Sequence, residues 1–319
     1  MRHVRLGGTG LRVSQLCLGT MTFGLQCDEP TSVAILDRAA AGGITFLDTS
    51  DVYPIGGNLS TVGRTEEILG RWLAGRRQDF VVATKCFGAM SARPWDQGLS
   101  RKHILDAIDG SLWRLATDYV DVYQLHHPDS STPIEESLRA LDDLVRQGKV
   151  RYIGNSNFPA WRVAEAEYVA RAMNVSRFIS CQDEYSLVVR DIEKDLLPAA
   201  QEYKLGLLPF FPLASGLLTG KYRKGEAAPD DTRFGKVPRL RDRYVTPRNE
   251  DIVGQLTDFA KARGHSMLEL AFSWLAARPQ VSSVIAGATR VEQIEENVKA
   301  IAWKLGAEEL AEIDRITKV

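Results

Sequence analysis

The chain has 319 residues, 44% of them apolar and 25% charged, with forty basic against forty-one acidic side chains. That near-neutral balance excludes the positive footprint of a nucleic-acid binder, and no apolar run reaches the roughly 20 residues of a membrane span. No charged-then-apolar leader opens the sequence, so a cytoplasmic protein is expected, with Cys17, Cys27, Cys86 and Cys181 as reduced core thiols.

The segment 1–13 places Gly7-Gly8-Thr9-Gly10 between short alternating stretches, which predicts a β-hairpin. Strand-like and helix-like segments then alternate. Strands are expected near 15–19, 44–48, 79–85, 120–126, 150–155, 178–182, 206–210 and 281–286. Helices are expected near 31–41, 64–74, 100–115, 133–147, 159–173, 191–203, 249–263 and 291–300, with two more at 267–277 and 307–317. Ile134, Leu138, Leu141, Leu144 and Val145 carry the spacing of an amphipathic helix, begun by Pro133 and stopped by Gly148. Eight strand–helix alternations without a long linker predict one (β/α)8 TIM barrel over 1–319 rather than two Rossmann halves. The stretch 221–245 reads as a long irregular loop, expected to cover part of a ligand site.

Polar residues follow three of the apolar runs. Ile44 to Leu47 delivers Asp48 and then Tyr53, Phe80 to Thr84 delivers Lys85, and Val120 to Leu125 delivers His126. In a parallel barrel these strand ends open onto one face, the usual place of an active site. There Lys85 can pair with Asp48 and lower the pKa of Tyr53, making the phenol a usable proton donor. His126 can hydrogen-bond a carbonyl. His126 and His127 are neighbours on an expected strand, so they should face opposite ways and make a poor chelate. With five histidines and no H-x-H or H-E-x-x-H spacing, no metal site is expected. No G-x-G-x-x-G follows a strand, and the span Gly216 to Lys221 is too short for a P-loop. It reads either as a glycine-capped turn or as an extended loop whose amides contact a pyrophosphate. Lys85 could also serve as the Schiff-base amine of an aldolase.

Seven stretches in order resemble the aldo-keto reductases over nearly the whole chain. They are Phe46 to Tyr53, Ala83-Thr84-Lys85, Gln124 to Asp129, Ile153 to Phe158, Gln182 to Leu187, Pro212 to Tyr222 and Gly287 to Arg290. The resemblance implies a barrel whose base is plugged by the hairpin, and NADPH-dependent interconversion of carbonyls and alcohols. It implies that Asp48, Tyr53, Lys85 and His126 are the catalytic four, with Tyr53 as general acid. Ser156, Asn157 and Gln182 would hold the nicotinamide carboxamide, since Asn and Gln offer both donor and acceptor. Phe210 would stack on the ring, and Leu213, Ser215, Leu217 and Lys221 would line the pyrophosphate. Thr289 and Arg290 would take the 2′-phosphate, and Gln293 and Asn297 the adenine. Cofactor contacts are also implied at Thr20, Phe211, Pro212, Gly216, Gly287 and Glu296.

Two features depart from the commoner pattern. Phe210-Phe211 stands where many members carry Tyr-Ser, and the stretch from Pro54 to Arg64 is long. The long stretch resembles bacterial members nearer the potassium-channel β-subunit and sugar-reductase branches. Those branches admit a second reading, a redox-sensing subunit that binds NADPH and turns over slowly. The substrate is expected to be a small carbonyl compound, whether aldehyde, ketone or keto sugar. Phe23, Phe87, Trp95 and His127 are the candidate pocket residues. Monomer and homo-oligomer are both compatible with the sequence.

Overall fold

The computed structural model describes residues 1–222 and 232–317. Eight parallel strands lie in the order β10-β3-β4-β5-β6-β7-β8-β9. They are β3 (Leu16–Gly19), β4 (Phe46–Asp48), β5 (Val81–Cys86), β6 (Val120–Leu125), β7 (Val150–Ser156), β8 (Phe178–Glu184), β9 (Gly206–Phe210) and β10 (Val284–Gly287). Closure of the ring lies between β9 and β10, where Leu207 N donates to Gln280 O at 2.8 Å and Ser282 N donates to Leu207 O at 2.9 Å. The fold is a nearly closed (β/α)8 barrel.

Helices cover the outside: α1 (Glu29–Ala41), α2 (Arg64–Leu73), α3 (Arg101–Leu115), α4 (Ile134–Arg146), α5 (Ala160–Met173) and α6 (Leu196–Glu202) come first. After β9 follow α7 (Arg233–Lys236), α8 (Pro238–Tyr244), α9 (Pro247–Lys261) and α10 (Met267–Ala276), and after β10 follow α11 (Val291–Ala300) and α12 (Ala307–Thr317). In α4, Ile134, Leu138, Leu141 and Leu144 all turn inward, as their spacing requires. None of the described helices is long and apolar enough to cross a membrane.

The hairpin of β1 (His3–Arg5) and β2 (Arg12–Ser14) closes the amino-terminal end of the barrel. Leu6 and Val13 pack into one buried cluster with Cys17, Phe46, Ala83, Val122, Leu208 and Ile285 from six strands. Gly7 seats this plug. At φ +57°, a Cβ there would lie 2.6 Å from the carbonyl oxygens of Ile179 and Lys204, so any side chain would be strained and would force the backbone to shift.

Two segments differ from expectation. The helix predicted over 191–203 is a 3-10 turn at Asp191–Glu193 followed by α6, which Asp195 starts by accepting a hydrogen bond from Leu196 N. The segment predicted to be irregular holds α7 and α8, although 223–231 lies outside the described residues. Phe234 is buried between Tyr222, at 4.7 Å, and Tyr244, at 6.4 Å between ring centroids. Tyr244 and Arg243 both bond the Glu184 carboxylate at the end of β8. Aromatic packing and this carboxylate give the segment its structure, and neither is periodic in sequence.

Candidate active site

The carboxyl ends of the strands bring the predicted polar residues together. Asp48 closes β4, Lys85 lies near the end of β5, His126 follows β6, Ser156 closes β7, Gln182 lies in β8, and Phe210 closes β9. Lys85 has no exposed surface. Its ammonium donates to Asp48 Oδ2 at 2.6 Å, to Thr49 O at 2.9 Å and to Tyr53 OH at 3.4 Å. All three ammonium hydrogens are thus directed, one of them at the phenol. Burial pulls the Lys85 pKa down, but Asp48 and Tyr53 more than offset it, and the net direction is upward. Lys85 is therefore held as a cation, which removes the free amine that a Schiff base requires.

The expected fall in the Tyr53 pKa does not occur. Burial pushes the phenol up and Asp48 adds to this, against the downward pull of Lys85, so the net direction is upward. Tyr53 is held fully protonated at neutral pH and can give its proton only to a strong base. His126 is pushed well below the ordinary imidazole range by burial, by the Lys85 charge and by His127. Its ring is neutral, stands edge-on to Tyr53 at 6.0 Å between centroids, and places Nδ1 3.2 Å from Ser50 Oγ. An alkoxide forming between Tyr53 and His126 would meet a phenol and an imidazole. That is an arrangement for proton transfer to a developing oxyanion.

His127 does not turn away from His126. The strand ends at Leu125, so alternation no longer applies, and the two rings stack at 5.2 Å and 18°. Phe87 continues the row, 5.5 Å from His127.

The sequence pattern of the Aldo/keto reductase family matches residues 15–318. The chain belongs to the aldo/keto reductase family. It is 42% identical over 308 residues to a probable voltage-gated potassium channel subunit beta of rice, covering 94% of this chain and 91% of that one. It is 39% identical over 323 residues to the uncharacterized oxidoreductase YrpG of Bacillus subtilis, covering 99% and 96% of the two chains. It is 36% identical over 326 residues to L-glyceraldehyde 3-phosphate reductase of Escherichia coli, covering 99% and 92%. Aldo/keto reductases are carbonyl-reducing oxidoreductases that generally use nicotinamide cofactors, and that class of chemistry is what family membership assigns.

The polar residues beside the four suit an aldo/keto reductase cofactor, although not as expected. Both amide hydrogens of Asn157 are already given, to His126 O at 3.0 Å and to Ser156 Oγ at 2.9 Å. The Gln182 amide nitrogen donates to Asp48 Oδ1 at 2.9 Å and to Gln124 Oε1 at 3.2 Å. What remains is an acceptor oxygen on each, a pair of acceptors matched to the two hydrogens of a carboxamide NH2. Ser156 is likewise committed, donating to Gln182 O at 2.9 Å. Thr20 is wholly buried and gives its hydroxyl to Asp48 O at 2.9 Å, which holds the end of β4.

Phe210 and Phe211 stand at right angles, 5.1 Å apart and partly exposed, so an aromatic face is offered to a ring. The following stretch, Ala214–Thr219, is a kinked run of tight turns, with Ser215 at φ 56° and Gly216 at φ 108°, rather than an extended loop. Its amides at Ala214, Gly216 and Leu218 donate internally, to Phe211 O and twice to Leu213 O. At the far end, Arg290 caps α11 and is exposed, without an ion pair among the described residues. Gln293 accepts from Thr289 N at 2.8 Å and so shapes this turn, while Asn297 is buried and Glu296 exposed.

Of the expected pocket aromatics, Phe23 is withdrawn. It has no exposed surface and lies in the main core. Phe87 is partly exposed and Trp95 is 49% exposed. Three participants escaped the sequence analysis. Gln124 donates to Asp48 Oδ1 at 3.2 Å, and Ser50 and Asp51 stand behind His126. Ser50 and Asp51 lie inside the Asp48-to-Tyr53 stretch, which is the one signal that could have found them.

Proposed function

We propose that the chain is an NADPH-dependent reductase of an aldehyde or ketone, with Tyr53 as the proton donor. The observation that carries this is the buried Lys85 cation, held by Asp48 at 2.6 Å and aimed at Tyr53 OH at 3.4 Å, beside a neutral His126. A bound nicotinamide would supply the hydride. The Asn157 and Gln182 oxygens would orient its carboxamide, Phe210 would flank the ring, and Arg290 would pair with a 2′-phosphate through a charge-assisted bidentate contact.

Tyr53 and His126 would both donate to the substrate oxygen. Those bonds strengthen as the oxygen gains charge, so they favour the transition state over the ground state. Tyr53 then gives its proton to the alkoxide, a base strong enough to take it from a phenol of raised pKa. The Lys85 cation stabilises the phenolate left behind. Phe87 and His127, stacked in a row beside His126, would contact the rest of the substrate, with the exposed Trp95 as a further candidate.

NADPH oxidation with a panel of aldehydes, ketones, keto sugars and phosphorylated aldehydes tests the proposal, run beside Tyr53→Phe. The variant should lose about 10²–10⁴-fold in turnover and keep its affinity for NADPH. Undiminished turnover would sink the assignment. The likeness to channel β subunits favours a second reading, a cofactor-binding regulatory subunit. Tight NADPH binding with slow turnover across the whole panel would select it.

A further inference from the structure

Ser50 has one hydrogen and two neighbours that want it. Its Oγ lies 3.1 Å from Asp51 Oδ1 and 3.2 Å from Nδ1 of His126. Ser50 and Asp51 have no exposed surface, and Asp51 Oδ2 is buried without a hydrogen-bond partner among the described residues. The two distances serve two hydrogen arrangements equally. With Asp51 ionised, the carboxylate can only accept, so Ser50 donates to Asp51. The imidazole must then donate from Nδ1, and Nε2 carries a bare lone pair. With Asp51 protonated at Oδ1, the acid donates to Ser50 and Ser50 donates to Nδ1. The imidazole hydrogen then sits on Nε2.

We infer that Asp51 and Ser50 are positioning residues that set the tautomer of His126, the acid form of Asp51 selecting the Nε2–H form that can donate to a substrate carbonyl. Ionisation releases one proton to solvent, reverses both hydrogen bonds and moves the imidazole hydrogen from Nε2 to Nδ1. No other bond changes. The effect on substrate rests on the reading of His126 as a carbonyl donor; the tautomer switch itself does not.

The surroundings favour the acid form. Burial pushes the Asp51 carboxyl up to about 8, and Glu66 on α2 adds to this. The Ser50 hydrogen bond, Arg114 on α3 and the Val52 backbone amide oppose it, but the guanidinium is already bound to Glu66 at 2.7 Å. The other titratable groups that feel Asp51 are Cys86 on β5, Tyr123 on β6 and Tyr53, and burial pushes all three up, so each stays neutral. His126 itself faces Lys85 and His127, and stays neutral for the reasons given above.

Protein labelled with ¹⁵N-histidine reports the tautomer directly in its ring-nitrogen shifts, with His126 identified by the signals lost in His126→Gln. Titration from about pH 6 to about pH 10 should carry the wild-type His126 from the Nε2–H to the Nδ1–H form. In parallel, kcat/KM for carbonyl reduction should fall about tenfold per pH unit above the transition. Asp51→Asn can donate from its amide to Ser50 at every pH, so it should keep the Nε2–H form throughout and lose that alkaline fall. Ser50→Ala should make the tautomer independent of pH. A wild-type tautomer that stays fixed over the range overturns the inference, and needs no variant to fold. An unaltered switch in Asp51→Asn overturns it as well. A switch without the parallel fall in rate supports the inference and contradicts the role of His126 as donor.

Discussion

At the scale of single residues, the site is a set of commitments. Asp48 accepts from Lys85, Gln124 and Gln182, three donors on three different strands. Lys85→Met removes the cation and leaves a carboxylate buried among neutral donors, which typically costs about 3–5 kcal/mol. Urea unfolding should show this as a lower midpoint with an unchanged slope, and an unchanged midpoint would mean that the pair contributes little. Asp48, Tyr53, Lys85 and His126 were legible because each follows an apolar run at a strand end. Gln124 was not, because a polar residue inside a strand reads as facing outward unless its partner across the barrel is known. Phe23 misled for the opposite reason: a loop aromatic carries no mark of whether the loop folds over it.

At the scale of elements, periodic stretches with explicit caps read well. The helix expected over 267–277 is α10, begun by a capping box of Ser266 and Glu269 that the structure reveals, and α4 turns inward the residues its spacing selected. Where structure depends on contacts between distant segments, the sequence is silent. Phe234 between Tyr222 and Tyr244 is one such case, and the aromatic row of Phe87, His127 and His126 is another. The plug hairpin was predicted from turn residues, but its fit depends on backbone approaching backbone at Gly7. Gly7→Ala should therefore displace the hairpin from the barrel floor, although the site lies at the opposite end. The expected outcome is a loss of about 1–3 kcal/mol from strain and overpacking, visible as a lower melting temperature. A neutral effect would show that the floor yields easily.

At the scale of the whole molecule, the proposed cofactor site would join side chains from most of the barrel to Arg290 at the start of α11, so ligand binding and folding would be linked. NADP+ present at about a hundred times its Kd should raise stability by about 2.7 kcal/mol, read as a shift in melting temperature. Arg290→Ala should shrink that shift for NADP+ while leaving the smaller shift with NAD+ unchanged. Equal losses with both nucleotides would assign Arg290 to general charge rather than to the 2′-phosphate.

The ring also ties early chain to late chain. Strand β3 is flanked by β4 and by β10, and Gly7 N donates to Ser282 Oγ at 3.2 Å. On the ribosome, residues made first must therefore wait for residues made 275 positions later. Until β10 emerges, one edge of β3 stays unpaired and the cluster under the hairpin lacks Ile285, and an uncovered parallel edge invites wrong pairing. Nascent chains halted before residue 284 should therefore be recognised by chaperones and proteases as unfinished, even with the Asp48, Tyr53, Lys85 and His126 codons already translated.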